Sequence, residues 1–351
     1  MRVTILSIIF TLIVGSSGCA TFQRDDEVAI RPPGARLLSS PTPANMEAKN
    51  HVVFAFMSEA AYGKTPAAEI AQQSNLTSSS VSKADIESQK STCPDSEHYL
   101  NQSGWNRWPD FLKNPIREKI QGQHLRVEVW QRNEPLEVAV VFGGTVLNNK
   151  NDLMANIRWF LPKEILGNSL DEYSAIVQQF APEFIIEWKR RLVLKDITFS
   201  SLQNARLFAT GHSLGAGLAQ QFAYSLPRDQ QVPRVTHVYA FDPSPVTGRR
   251  SAPPDIEQEN SKFLFTDRIY QRGELLAHLR SLTSIFIPQS ERCPVIRYVR
   301  YDAFESFSPI YLHSIKKLAC GILSIANAPM KDSDGLGISE TSYDGRTPMA
   351  C

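Results

Sequence analysis

The chain carries no excess of charge of either sign: 37 Lys and Arg stand against 36 Asp and Glu, a formal net charge of +1 over 351 residues. That balance offers no electrostatic footprint for nucleic acid or an acidic substrate as partner. The densest basic run, Lys189-Arg190-Arg191, reads as a solvated helix end, where cations suit the dipole. Cysteine is scarce, at five residues, and none has Cys-x-x-Cys spacing, so no thiolate metal site is read. Gly63-Lys64-Thr65 lacks the glycine that a phosphate loop needs five positions earlier, where Ser58 stands. There is no internal repeat. What is present is 42% hydrophobic and 21% charged, the composition of a soluble globular chain with a sizeable core. Its length suits one large domain or two small ones.

The N-terminus has its own pattern. Met1 to Gly18 holds one early charge, Arg2, and an apolar core from Val3 to Val14. That core is short for a membrane span and right for a secretory signal over residues 1–18. Ser16-Ser17-Gly18-Cys19 resembles a bacterial lipobox, with Ser16 where Leu is usual. This predicts a lipidated Cys19 and a lipoprotein of the cell envelope, the outer membrane favoured by Ala20. A cleaved signal giving a periplasmic or secreted protein, and an uncleaved anchor, are the alternatives. Residues 19–46, with Pro32, Pro33, Pro41 and Pro43, are expected to be a flexible, extended spacer. The remaining Cys93, Cys293, Cys320 and Cys351 are an even set, as two disulfides in an exported chain would require, with the pairing open.

The folded part is expected over residues 47–330. Val52, Val53, Phe56, Met57 and Ala60 follow a helical period that Gly63 can end. Residues 64–104 are mostly polar and read as an irregular insertion. Leu125–Trp130 alternates as a half-buried strand, Glu134-Pro135 marks a turn, and Val138–Phe142 is the unbroken apolar run of a strand covered on both faces. Ile176 to Leu192 forms an amphipathic helix that Pro182 should kink or divide. Strands follow at Ala205–Thr210, Val235–Phe241, Phe263–Tyr270, Ser284–Ile287 and Val295–Val299, a helix at Leu312–Leu323, and a loose tail over 331–351. Buried strands alternating with helices predict an α/β fold with a mainly parallel sheet and helices on both faces.

Gly211-His212-Ser213-Leu214-Gly215 lies between one such strand and a helical pattern of Leu214, Leu218, Phe222 and Leu226. Gly-x-Ser-x-Gly in that setting is a nucleophile elbow, which makes Ser213 the candidate nucleophile. The chain order Ser, acid, His then selects His313 as base, with His278 second. His237, inside a strand, reads as a hydrogen-bonded core residue. Glu274, after a strand that turns at Gly273, is the leading acid, with Asp242 and Asp267 as alternatives. An acid here fixes the imidazole tautomer and stabilises its charged form. The oxyanion donors expected are the backbone N–H groups of Leu214 and of the Gly143-Gly144-Thr145 turn, Gly144 and Thr145 in particular.

Together these segments resemble the class 3 (fungal-type) lipase family. Val140–Thr145 is similar to that family's oxyanion strand, with Gly143 where Arg is usual. Asp152–Ile157 looks like the segment that follows it. Thr210–Ala219 matches the elbow, Phe241–Gly248 the strand end after it, and Ile269–Leu276 the segment bearing the acid, with Glu274 in place of Asp. The resemblance implies an α/β-hydrolase without metal or organic cofactor, cleaving lipid esters through an acyl-enzyme. The apolar stretch Trp159, Phe160, Leu161, Ile165 and Leu166 falls near the family's lid. A short-chain esterase, an acyltransferase and a non-catalytic envelope scaffold are the competing readings; the oligomeric state is left open.

Overall fold

A computed structural model of the chain describes residues 28–31, 38–39, 42–63, 93–109, 111, 126–144, 169–194, 205–244, 247–274, 295–304, 306 and 309–329. The signal segment, Cys19, Thr145, residues 152–166, His278, Ser284–Ile287, Cys293 and the tail with Cys351 lie outside the described residues.

Nine strands form one sheet: β1 (Val28–Arg31), β2 (Leu38–Ser39), β3 (Asn106–Arg107), β4 (Arg126–Arg132), β5 (Glu137–Gly143), β6 (Arg206–His212), β7 (Val235–Phe241), β8 (Phe265–Gln271) and β9 (Val295–Tyr301), in the order β2-β1-β9-β8-β7-β6-β5-β4-β3. The helices are α1 (Ala44–Ala60), α2 (Ser96–Gln102), α3 (Ser169–Val193), α4 (Leu214–Ser225), α5 (Pro254–Ser261), α6 (Pro309–Leu312) and α7 (Ile315–Asn327). This is an α/β fold with a mixed sheet. The expectation of a mainly parallel sheet is corrected: β5 to β9 run parallel, and the four remaining pairings, β3–β4, β4–β5, β9–β1 and β1–β2, are antiparallel. The reason lies at the two ends. A tight turn after Arg132, through Glu134-Pro135, makes β4 and β5 a hairpin, which only antiparallel strands can form. At the other end β1 joins β9 from the N-terminal side of the chain.

Burial decides the layers. Every residue of β5 is buried. Its side chains alternate between faces: Val138, Val140 and Phe142 pack with Val177, Phe180 and Phe184 of α3 and Phe222 of α4, while Ala139 and Val141 join the core of α1 and α7. Pro182 does not divide α3, which runs unbroken from Ser169 to Val193. A proline inside a helix costs about 3 kcal/mol, but burying Phe180, Phe184 and Trp188 contributes roughly 1.5–3 kcal/mol each, so the packed stripe prevails. Arg191 also departs from expectation. It is buried, its guanidinium 4.1 Å from the Trp108 ring centroid and bonded to Glu187 at 2.8 Å, so the basic run is only partly solvated.

Two stretches expected to be irregular carry structure. The spacer contains β1 and β2, and α1 begins at Ala44; Val28, Ala29 and Ile30 are all buried. The insertion contains α2, capped by the Asp95 carboxylate, and Cys93 is disulfide-bonded to Cys320 of α7 with a Cα–Cα distance of 5.5 Å. The helix expected over 312–323 is two helices, α6 and α7, with His313 in the turn between them.

Candidate active site

The carboxyl ends of the parallel strands converge on one edge, where ligands of open α/β sheets bind. Gly143 ends β5, His212 ends β6, Asp242 follows β7, and Glu274 follows β8 after a turn at Gly273. The register holds these ends level, Phe142 beside Gly211, His212 beside Phe241 and Phe241 beside Ile269.

Ser213 stands between β6 and α4 with φ 57° and ψ −120°. A left-handed φ on a residue with a Cβ costs about 1–3 kcal/mol and persists only where its surroundings enforce it. Here the Ser213 N–H donates to Phe241 O at 2.9 Å, and Ser213 O accepts from the Ser244 N–H at 3.2 Å. Gly215 is required for close approach, since a Cβ there would overlap the carbonyl of Phe142. Helix α4 is thereby pressed against the end of β5, with Leu214 N–H in its first turn.

His313 and Glu274 meet from different elements. His313 Nδ1 lies 3.3 Å from Glu274 Oε2, and the carboxyl group is fully buried. A bond donated by Nδ1 leaves the lone pair on Nε2, the tautomer of a general base. The His313 ring is 4.7 Å from that of His212, next to Ser213 in the chain.

Of the alternative acids, Asp267 is engaged away from the site, while Asp242 lies beside His212 and His313. Asp267 lies within β8, beside Tyr239 and Arg297. Its carboxylate accepts from Arg297 at 2.6 and 2.9 Å and meets His51 Nε2 at 3.2 Å and His237 Nε2 at 3.0 Å. Burial works to raise the Asp267 carboxyl, but the charge of Arg297 and the bonds from the histidines outweigh it and hold the group well below the usual carboxylate range. Arg297 also holds Glu47 at 3.0 and 3.2 Å. Asp267 is thus the centre of a buried network that joins α1 to the sheet, and His237 is the hydrogen-bonded core residue its position predicts. Asp242, with φ 40°, accepts from the Gln271 N–H at 3.3 Å and lies 3.6 Å from His212 Nε2.

Two participants were not anticipated from the sequence. The Tyr62 hydroxyl lies 2.7 Å from His212 Nδ1. A Cβ on Gly144 would strike that hydroxyl. Burial pushes the Tyr62 phenol far above its usual range, so it keeps its proton. Burial, with the neighbouring His313, holds His212 well below the imidazole range, so it is neutral. Tyr62 donates to His212 Nδ1 in the tautomer that carries the ring proton on Nε2. Of the three expected oxyanion donors, Leu214 and Gly144 lie among the described residues and Thr145 outside them. The sequence signal for His212 was its place inside the motif. Tyr62, at the frayed end of a helix far upstream, gave none. No family model matches the chain, and no curated protein matches it.

Proposed function

We propose that this protein is a serine hydrolase of the α/β-hydrolase type that cleaves carboxylic esters of lipids, with Ser213 as nucleophile, His313 as base and Glu274 as acid. The observation that carries the reading is the pairing of His313 Nδ1 with buried Glu274 at 3.3 Å, on the same sheet edge as a serine held at positive φ between strand and helix. Ser213 Oγ attacks the ester carbonyl while His313 Nε2 takes its proton; Leu214 N–H, with Thr145 as the second donor, holds the oxyanion; water activated by His313 then releases the acid. Glu274 keeps the imidazole in the receiving tautomer. The mechanism calls on no cofactor.

Lipid esters as substrates rest on the resemblance of the elbow and the Gly-Gly-Thr strand to class 3 lipases. Attachment to the envelope membrane rests on Cys19 and the apolar segment before it. Among the described residues no helix is long and apolar enough to cross a membrane.

The test is hydrolysis of short- and long-chain p-nitrophenyl esters by the purified protein beside Ser213→Ala. The expected loss is about 10⁴-fold or more, together with fluorophosphonate labelling of the parent at Ser213. Equal rates in both proteins would dispose of the nucleophile. A preference for short chains would convert the lipase into an esterase, and absence of both hydrolysis and labelling would leave a binding scaffold.

A further inference from the structure

We propose that Arg300 anchors a binding site for a phosphate monoester or free phosphate on the α4 face of β8 and β9. The site does not depend on the hydrolase reading.

Strand alternation sets the face. Ile269 and Val299 belong to the core of α1 and α7, so Arg268 on β8 and Tyr298 and Arg300 on β9 point to the opposite side. Arg268 accordingly bonds Gln220 Oε1 of α4, at 2.9 and 3.2 Å. The register sets Arg268 beside Tyr298 and Tyr270 beside Arg300. Arg268 and Arg300 are therefore diagonal neighbours on one face, about 8 Å apart at Cα by strand spacing and rise.

Arg300 is 6% exposed. Among the described residues, neither its Nε nor its Nη2 has a hydrogen-bond partner. The other arginines of this region are matched: Arg272 by Asp302, and Arg297 by Glu47 and Asp267. A guanidinium keeps its charge in a protein, and a buried charge without a counter-charge is costly. A bound anion removes that cost.

The two atoms name the ligand. Nε–H and Nη2–H lie side by side along one edge of the guanidinium plane, the fork that receives two oxygens of a carboxylate or a phosphate. The second cation selects between these. Arg268 bonds neutral acceptors, Gln220 Oε1 and the Tyr298 hydroxyl at 3.0 Å. Two guanidinium groups on one face, neither bonded to a carboxylate among the described residues, favour a doubly charged phosphate over a singly charged carboxylate.

The experiment is calorimetric titration of the full chain at fixed ionic strength with inorganic phosphate, glycerol 3-phosphate and dihexanoyl phosphatidate, with acetate as the carboxylate comparison. Arg300→Lys keeps the charge and loses the fork; Arg228→Gln, at an exposed arginine, is the control. One phosphate per chain is expected, weakened at least about tenfold in Arg300→Lys and unchanged in Arg228→Gln. Tightest binding of the phosphatidate identifies a lipid headgroup as the source, and tightest binding of either soluble probe a free phosphate; both support the site. It is overturned if none of the three binds, if Arg300→Lys binds as the parent does, or if acetate binds as tightly as phosphate.

Should Arg300→Lys fail to fold, Arg300→Met decides. Removing an uncompensated buried charge should raise Tm above that of the parent in phosphate-free buffer. Phosphate should then raise the Tm of the parent and not that of the variant. A lower Tm for Arg300→Met without phosphate would mean that the chain itself satisfies the guanidinium, and would overturn the proposal.

Discussion

The Tyr62 hydroxyl lies 2.7 Å from His212 Nδ1, where a Cβ on Gly144 would strike it. It therefore ties the end of α1 to the elbow and packs against the turn that follows β5. Tyr62→Phe removes the bond to His212 and loosens that turn. The expected result is a fall in kcat of roughly ten- to hundredfold with KM little changed, because a misplaced oxyanion loop is felt in the transition state. A structural role alone would lower Tm and leave kcat of the folded enzyme where it was.

Ser213 predicts an exchange of activity for stability. Its φ of 57° suits glycine, which pays no Cβ penalty there. Ser213→Gly should abolish ester hydrolysis and raise unfolding free energy by about 1 kcal/mol over Ser213→Ala, which keeps the strained backbone. Urea unfolding of the two variants measures the difference. Equal stability would mean that the turn is not strained at this residue.

The two carboxyl groups Glu274 and Asp267 should separate chemistry from stability. Glu274→Gln is expected to lower kcat by about 10³–10⁴-fold through the wrong imidazole tautomer. Asp267→Asn leaves Arg297 buried without its main partner, and a broken buried pair costs about 3–5 kcal/mol. The reverse pattern, with hydrolysis dependent on Asp267 and indifferent to Glu274, would reassign the acid.

Asp267 also sets an acid limit. Its carboxyl is held well below its ordinary value in the fold, so the folded state binds the proton less readily than the unfolded chain. The stabilisation is complete above the unfolded value of about 3.9 and is lost as pH falls below it toward the folded one. Chemical denaturation between pH 3 and 7 should show this loss in the parent, and a flatter profile in Asp267→Asn.

Cys93 and Cys320 lie 227 residues apart. A bridge closing so long a loop removes much freedom from the unfolded chain, and its loss is expected to cost about 2–5 kcal/mol. Cys93→Ser should lower Tm accordingly, and peptide mapping without reductant should recover the two cysteines joined.

What could be read from the sequence was what depends on neighbours along the chain. The run Val138–Phe142 announces a doubly covered strand, and the glycines about Ser213 announce a turn with no room for side chains. What could not be read depends on partners far away. Val28–Arg31 is four residues in a proline-rich stretch, and it is a strand because it pairs with β9, near the opposite end of the chain, and with the short β2. Asp267 was indistinguishable from a strand-end acid until register placed it between Tyr239 and Arg297. Polar composition made the segment before Gly104 look irregular, yet the Asp95 cap and the disulfide suffice to order α2. Tyr62 shows the same limit at the candidate site: a phenol just past a helix end meets His212 only through the fold.

The docking of β1 changes the length of the leash. With Cys19 lipidated, a free spacer to residue 46 would let the folded domain range widely from the membrane. With Val28 already paired to Tyr301, only residues 20–27 separate it from Cys19, and that much chain spans at most about 29 Å. A protein lipidated at Cys19 would carry the β1 side of its sheet within that distance of the bilayer. It would meet substrates presented by its own membrane far more often than those of an apposed one.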